Sequence, residues 1–232
     1  MSSDLPSADE KVVSVRDMFD RIAPRYDRLN RILTAGADQR WRRKLMSRLR
    51  IGPGDRVLDL ACGTGDFTEL ARSCGATAVG LDFSGQMLGL ARGRLGTVSL
   101  VRGDALALPF GPESVTAIVS GFALRNFLAL EPAFREAARV LSPGGRIGLL
   151  EVDRPTGRLR APAHRFYFER IVPKLGGWLA GDRAAYAYLP ASAAYLPPEA
   201  ELLALLEGAG FAEITKRSHM MGAIQTITAV RP

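Results

Sequence analysis

The stretch Asp55-Arg-Val-Leu-Asp-Leu-Ala-Cys-Gly-Thr-Gly-Asp66 reads as a strand, a glycine-rich turn and the start of a helix. Val57, Leu58 and Leu60 form a short apolar run, which predicts a strand buried on both faces. Glycine permits unusual backbone torsions and the close approach of a ligand, and the helix that follows begins with unpaired N–H groups. The stretch therefore predicts a ligand-binding turn, with a tight turn that binds nothing as the alternative.

The glycine spacing separates this turn from two other nucleotide-binding turns. Gly63 and Gly65 fit the first two positions of the dinucleotide pattern G-x-G-x-x-G, but Thr68 occupies the third, and the Gly-Lys-Ser/Thr ending of a P-loop is absent. From Asp59 the sequence reads acid-x-Ala-x-Gly-x-Gly, with Ala61 at the place of the first glycine in the pattern of S-adenosylmethionine (SAM) methyltransferases. The turn therefore favours SAM and disfavours a dehydrogenase.

Composition narrows the class of protein. The 232 residues suffice for one α/β domain, and no apolar run reaches the length of about 18 residues that a membrane helix needs. With only two cysteines and no visible secretory signal, we expect a cytoplasmic protein with free thiols and no metal site. The net charge of +7 suits an anionic partner, either nucleic acid or a membrane surface.

Acids follow two later strands. Asp82 comes directly after the predicted strand Thr77–Leu81, and Asp104 follows the predicted strand Val98–Val101. Because parallel strands end at the same edge of a sheet, Asp82 is placed to accept hydrogen bonds from ribose hydroxyls and Asp104 from the adenine amino group. The N–H of Ala105 would pair with a ring nitrogen.

Alternating strands and helices predict a doubly wound, Rossmann-like α/β fold. We expect a mostly parallel seven-stranded sheet that ends in an antiparallel strand. Residues 1–50 are expected to form a helical lid or substrate segment, and residues 51–232 the methyltransferase domain, counted together as one domain. The remaining predicted elements are the strands Val115–Ser120 and Arg146–Val152, the helices Glu131–Leu141 and Glu199–Leu206, and the terminal strands Glu213–Ser218 and Ile224–Val230.

Two segments are rich in basic residues. A helix from Asp38, its expected N-cap, to Leu49 carries five basic residues, with Arg50 directly after it, around an apolar stripe that includes Trp41. The insertion 154–198 combines arginines with most of the later aromatic residues. Each segment could contact anionic lipid. The insertion could also cover a flat aromatic methyl acceptor. The alternative in both cases is a solvated charged face over a packed core.

Several stretches resemble the ubiquinone/menaquinone-biosynthesis C-methyltransferases over roughly residues 16–215. Besides the glycine turn, they are Phe19-Asp-Arg-Ile-Ala-Pro-Arg-Tyr-Asp27, Asp104-Ala-Leu-Ala-Leu-Pro-Phe110, Leu124-Arg-Asn126, Arg139-Val-Leu-Ser-Pro-Gly-Gly145 and Tyr188-Leu-Pro-Ala-Ser192. The serine that this family has after its fourth strand falls on Gly121, with Ser120 one place earlier. The resulting cofactor-binding candidates are Asp59, Gly63, Thr64, Gly65, Asp82, Asp104, Ala105 and Gly121.

The resemblance implies methylation of a ring carbon of a demethylated quinol, most specifically demethylmenaquinol. Arg125 matches the arginine of the family's Leu-Arg-Asn motif and is expected to stabilise the phenolate. Its guanidinium stays protonated at neutral pH and is therefore a poor base. Asn126 would orient Arg125, while Tyr26 and His164 are weaker acid–base candidates. A peripheral contact with an anionic membrane and a homodimer are left open.

Three other functions compete with this one. An RNA base methyltransferase is disfavoured because Ser-Gly-Phe-Ala at 120–123 replaces the usual Asn/Asp-Pro-Pro-aromatic motif, so no nucleic acid is expected. Methylation of another aromatic or natural product stays open, because Met221-Gly-Ala-Ile-Gln-Thr-Ile-Thr228 departs from the family's C-terminal pattern. A non-catalytic SAM-binding protein at a membrane is the alternative from a different class.

Overall fold

The computed structural model describes residues 20, 21, 23, 31, 34, 36–153 and 195–232. Predictions about the helices before residue 36, about Tyr26 and His164, and about most of the insertion 154–198 lie outside these residues. The described helices are α1 (Ala37–Arg48), α2 (Asp66–Ser73), α3 (Gly85–Leu95), α4 (Leu130–Val140) and α5 (Glu199–Gly208). The strands are β1 (Arg56–Leu60), β2 (Thr77–Asp82), β3 (Ser99–Arg102), β4 (Val115–Gly121), β5 (Leu141–Val152), β6 (Ala212–His219) and β7 (Ile224–Val230).

The strands form one seven-stranded sheet in the order β3-β2-β1-β4-β5-β7-β6. All neighbours from β3 to β5 are parallel, whereas β7 is antiparallel to both β5 and β6. The predicted fold class is therefore confirmed, including the antiparallel C-terminal strand. Because β1, β2 and β4 run in the same direction, their last residues Leu60, Asp82 and Gly121 lie at one edge of the sheet.

The central strands are buried on both faces, as their apolar runs predict. Leu58 in β1 and Ile118 in β4 are fully enclosed, and Phe67 at the start of α2 packs into the same core. This burial removes apolar surface from water and fixes the edge on which the glycine turn lies.

Helix α1 packs against the sheet through a glycine. A Cβ atom at Gly148 in β5 would lie 2.5 Å from Cδ1 of Leu49 and 3.1 Å from Cδ1 of Leu45, so the glycine gives the helix room to approach. At the end of the helix, the Arg146 guanidinium donates to the carbonyl of Leu49 and pairs with Asp55. These contacts join α1 to the sheet.

Two local predictions are wrong. Asp38 does not cap α1: Gly36 occupies the N-cap position with φ of +75°, and Asp38 is the second helical residue, where it accepts a 2.9 Å hydrogen bond from the Thr34 hydroxyl. Residues 142–145 do not lie outside the sheet, because β5 begins at Leu141. The register is irregular there, and continuous pairing with β4 begins at Arg146, where the strand was predicted to start.

No helix within the described ranges combines the length and apolar character that crossing a membrane requires.

Candidate active site

The turn after β1 has three residues in the left-handed region of backbone space. Ala61, Gly63 and Gly65 have φ values of +56°, +55° and +87°. Ala61 thus has a left-handed backbone conformation that glycine adopts more easily than residues with a side chain. This explains why SAM-binding turns usually have glycine at this position. Gly65 is the N-cap of α2, where a Cβ atom would lie 2.5 Å from Cδ1 of Leu95. The last glycine is therefore required both by the turn and by packing against α3.

Asp59 holds the turn to the helix that follows it. Its Oδ2 atom accepts hydrogen bonds from the backbone N–H of Thr68 at 2.8 Å and from the Thr68 hydroxyl at 2.7 Å. Burial raises the pKa of Asp59 to about 6, although the Thr68 hydrogen bonds and the charge of Arg42 oppose this shift. The residue that breaks the dinucleotide pattern, Thr68, is thus a hydrogen-bond donor to the acid of β1.

Asp82 joins the end of β2 to the glycine turn. Its Oδ2 atom accepts a 2.8 Å hydrogen bond from the N–H of Gly63, and Oδ1 accepts one at 2.9 Å from the N–H of Ser84. Burial raises the pKa of Asp82, although these N–H donors oppose the shift. The Ser84 hydroxyl caps α3 by accepting a hydrogen bond from the N–H of Met87 at 3.1 Å. The same hydroxyl donates to Asp20, which places this residue of the Phe19–Asp27 stretch beside Asp82.

A cavity of about 170 Å³ lies at this edge of the sheet. Its walls combine acids with apolar side chains, including Met87, Phe122 and Phe127. Met87 is both buried and part of the wall. The predicted site residues that line this cavity are Gly63, Asp82, Asp104, Ala105, Gly121 and Asn126.

A smaller cavity lies beside the glycine turn. Thr64 and Asp59 line it, together with Arg42 and Phe67. Ala61, Gly63 and Gly121 line both cavities, so the two adjoin at the turn. The predicted cofactor residues are therefore brought together around two adjoining spaces, except for Gly65, which caps the helix.

Arg125 lines neither of these two cavities. Its side chain is buried and pairs with the carboxylate of Glu151, which also lies 3.4 Å from the backbone nitrogen of Arg125. Asn126, the next residue, does line the larger cavity. The Ser120 hydroxyl donates to the carbonyl of Leu60 at 2.7 Å and so joins β4 to β1.

Three residues near the site were not singled out from the sequence. Arg42 was counted with the other basic residues of α1, although it lies four residues before Met46 and seven before Leu49 on the buried side of that helix. Glu151 carries no signal of its own in the sequence, and Asp20 stands out only as part of the stretch Phe19–Asp27, because the partners of both residues are distant in sequence. For Arg42, the helical spacing could have revealed its position.

The fold recurs in solved SAM-dependent methyltransferases. One from Thermotoga maritima is 21% identical and superposes with a TM-score of 0.69, covering 94% of this chain and 99% of its own. Phosphoethanolamine N-methyltransferase 2 of Haemonchus contortus, solved with SAM, is 16% identical with a TM-score of 0.68, covering all of this chain and 61% of its own. The fold is therefore that of the class I methyltransferases, with a glycine turn after β1 and an acid at the end of β2.

A family model and relatives with higher sequence identity identify the family. The model of the ubiE/COQ5 methyltransferase family matches residues 6–231, so the chain belongs to this family. Demethylmenaquinone methyltransferase of Roseiflexus sp. strain RS-1 is 42% identical over 231 residues, covering 98% of this chain and 97% of that protein. The ubiquinone/menaquinone biosynthesis C-methyltransferase of Syntrophotalea carbinolica is 40% identical over 218 residues, covering 91% of each. The predicted family, the enzyme class and SAM as the cofactor are thereby confirmed.

Proposed function

We propose that the enzyme transfers the methyl group of SAM to a ring carbon of a demethylated quinol, with demethylmenaquinol as the substrate. The observation that carries this proposal is the near-complete match to demethylmenaquinone methyltransferases at about 40% identity. Thermus thermophilus supplies another such relative, 43% identical over 200 residues. The apolar and aromatic wall of the larger cavity supports a flat, hydrophobic acceptor.

The residues at the strand ends fit a nucleoside. Asp82 receives one backbone N–H on each carboxylate oxygen, which leaves further lone pairs for the ribose hydroxyls. Asp104 and Ala105 line the same cavity and are proposed to pair with the adenine ring. Gly121 has no side chain where the two cavities adjoin: a Cβ atom there would lie 2.7 Å from Nη1 of Arg42 and 2.9 Å from Cε2 of Phe67. The cradle therefore suits a ligand that lies across the turn.

Bound SAM supplies an electrophilic methyl group, so the protein has to orient the acceptor and exclude water. We assign Phe122, Phe127 and Leu128 to contact the quinol ring, since they line the larger cavity. A ring carbon becomes nucleophilic when the neighbouring hydroxyl loses its proton, and a positive or hydrogen-bonding group nearby favours that charged form. No group of three or more potential metal ligands was found in the described part of the chain.

We assign Asn126, which lines the larger cavity, to the acceptor side, and Arg125, which lines neither cavity, to holding Asn126 in position. Electrostatic stabilisation of the phenolate by the charge of Arg125 is the alternative role. Arg125 contacts Glu151 through both its backbone and its guanidinium, so the pair also holds the short turn Leu124–Asn126 in place. This arrangement supports a positioning role, with Asn126 as the group that faces the substrate.

A contact with an anionic membrane is the second part of the proposal. Arg43 and Lys44 are exposed on α1, and the exposed Met220 and Met221 occupy the turn between β6 and β7. Helix α1 and this turn lie next to each other. The ring of Trp41 on α1 stacks with that of His219 at the end of β6, with centroids 6.0 Å apart. Burial lowers the pKa of His219, and the nearby charges of Arg48, Lys44 and Arg217 lower it further. Basic and apolar groups side by side suit a lipid surface, where a quinol with an apolar tail would reside.

The membrane contact is tested by sedimentation with vesicles. We expect the protein to bind phosphatidylglycerol vesicles more strongly than phosphatidylcholine vesicles, and the Lys44→Glu and Met221→Ser variants to bind less. Arg92→Glu changes the same charge on α3, at an exposed site beside the opposite end of the sheet, and should retain binding. Equal losses in Lys44→Glu and Arg92→Glu would reject this surface in favour of net charge alone.

The acceptor is tested with a panel of compounds. Under reducing conditions, the protein with SAM should methylate demethylmenaquinol in preference to catechols and other phenols, as measured by mass spectrometry. Turnover confined to the other phenols would assign the enzyme to a different aromatic substrate. Retained SAM binding with no turnover on any of them would favour a non-catalytic protein.

A further inference from the structure

Four cations lie together where α1 meets the last two strands, and we call them the basic cluster: Lys44 and Arg48 on α1, and Arg217 and His219 on β6. Nη1 of Arg48 donates to the hydroxyl of the buried Thr226 at 3.0 Å, and Nε2 of His219 lies 2.9 Å from the same oxygen. Arg217 is opposite Thr226 in the antiparallel register of β6 and β7, so both side chains are on the same face of the sheet.

None of the four cations pairs with a carboxylate among the residues that the structure describes. Lys216, the neighbour of Arg217 on β6, differs: it pairs with Asp153 at 2.8 Å and with Glu199 at 2.7 Å. Because side chains alternate between the two faces of a strand, these acids are on the face opposite to the basic cluster. The cluster therefore combines like charges without a counter-charge, which favours the binding of an anion.

The repulsion within the cluster affects its pKa values. Burial and the nearby charge of Arg217 lower the pKa of Arg48. Burial and the charges of the three other cations lower the pKa of His219. Arg48 is half-buried and is held by Thr226 through one of its N–H groups, so the others stay available in a fixed orientation. Such a guanidinium suits the oxygens of a phosphate, to which arginine donates two parallel hydrogen bonds.

We propose that the basic cluster is a binding site for a phosphate group. Arg48 and Arg217 donate to the phosphate oxygens, and Lys44 adds positive charge. The Thr226 hydroxyl does not contact the ligand but holds Arg48 in position.

The phosphate has two sources. The exposed Met220 and Met221 follow His219 directly, and apolar side chains beside a phosphate site suit the headgroup of an anionic lipid. A soluble phosphate compound is the other source. The headgroup source rests on the membrane contact proposed above, whereas phosphate binding itself does not.

Inorganic phosphate is the probe, titrated into the full-length protein at pH 7 and constant ionic strength. The imidazole NMR signals of His219 report binding, and a His219→Gln sample identifies them, because the chain has only one other histidine. We expect a saturable change in these signals. Arg48→Gln should weaken phosphate binding by about 10-fold, the lower end of the range for a hydrogen bond to a charged group. If Arg48→Gln does not fold, Arg217→Gln decides in the same way.

Two further variants separate a built site from net charge. Arg92→Gln removes the same charge from an exposed position on α3 and should leave phosphate affinity unchanged. Thr226→Val keeps every charge but removes the hydroxyl that holds Arg48, and should weaken binding by about 3- to 10-fold, the range for one hydrogen bond. Equal weakening in Arg48→Gln and Arg92→Gln, full affinity in Thr226→Val, or no saturable change at all would overturn the proposal.

Sedimentation with phosphatidylglycerol vesicles identifies the source of the phosphate. If a lipid headgroup occupies the site, Arg48→Gln and Thr226→Val should lose vesicle binding together with phosphate affinity. If a soluble compound occupies it, both variants should lose phosphate affinity but sediment with vesicles as Arg92→Gln does. An unmodified protein that binds phosphate but not vesicles would reject the membrane contact and leave the phosphate site intact, so the two proposals fail separately.

Discussion

The backbone nitrogen of Gly63 lies 2.8 Å from Oδ2 of Asp82, so the glycine turn after β1 and the acid at the end of β2 form one hydrogen-bonded unit. The other oxygen of Asp82 accepts from the N–H of Ser84, the residue that caps α3. Together these bonds fix the acid and the turn relative to each other before a ligand arrives. We regard this pre-organisation as the basis of cofactor binding.

Asp82→Asn should weaken binding of S-adenosylhomocysteine by about 2–3 kcal/mol. An amide has one oxygen, so either Gly63 or Ser84 loses its acceptor, and the charge that strengthens bonds to ribose is lost. Calorimetry measures the change, with Glu201→Gln, an exposed acid on α5, as the control. Unchanged affinity in Asp82→Asn would remove this carboxylate from the binding site.

Gly121→Ala should reduce both cofactor affinity and stability. The new Cβ atom would lie 2.7 Å from Nη1 of Arg42 and 2.9 Å from the Phe67 ring, so these groups have to shift. Overpacking of this kind destabilises by about 1–3 kcal/mol, which urea denaturation measures. Gly111→Ala is the control, because a Cβ atom there would meet nothing within 4 Å. Equal stability of the two variants would show that the site accommodates a side chain at position 121.

Asp59 makes stability depend on pH. Its pKa is about 6 in the folded protein against 3.8 for an exposed carboxyl, so the folded state binds more protons between these values. The contribution of Asp59 to the free energy of unfolding is therefore present below about pH 4 and lost as the pH rises through 6. The loss is roughly 2–3 kcal/mol at 1.36 kcal/mol per pKa unit.

Asp59→Asn should flatten this part of the pH profile, as measured by urea denaturation from pH 4 to 7. The informative quantity is the slope of the free energy of unfolding against pH, compared between the two proteins. Their absolute stabilities differ for a second reason, because the amide of Asn at position 59 also changes the hydrogen bonds with Thr68. A profile of Asp59→Asn that runs parallel to that of the unmodified protein would show that Asp59 is not the group that titrates.

The buried pair of Arg125 and Glu151 should show strong coupling. Glu151→Gln removes the carboxylate from a buried guanidinium and should lower the free energy of unfolding by about 3–5 kcal/mol, whereas Arg125→Met with Glu151→Leu should restore most of it. Denaturant titration of Arg125→Met, Glu151→Leu and the variant with both substitutions measures this coupling. Additive losses would mean that the two residues act independently.

The same double variant separates two roles of Arg125. If its charge stabilises the phenolate, the folded double variant should have a greatly reduced kcat with unchanged affinity for S-adenosylhomocysteine. Retention of full activity would leave Arg125 with a role only in holding the turn that carries Asn126.

The sheet and the location of most of the proposed cofactor residues at its edge were predictable because their signals are local. A buried strand, a glycine turn and an acid at a strand end each occupy a few consecutive residues, as in Asp59–Gly65 and Asp82. The position of Arg42 depends on Gly121 and Phe67, which come from distant segments, and its side chain resembles the exposed arginines of α1. The partner of Arg125 was equally hidden, since Glu151 lies on the next strand of the sheet.

Transfer of a labelled methyl group tests the central claim most directly. The protein is incubated with SAM that carries a trideuterated methyl group and with chemically reduced demethylmenaquinone, and the product is fragmented by mass spectrometry. We predict one trideuterated methyl group on a ring carbon, in a product that still oxidises to a quinone because both oxygens are free. Label on an oxygen atom, or no transfer to the quinol while S-adenosylhomocysteine still binds, would contradict the assignment of this enzyme as a quinol C-methyltransferase.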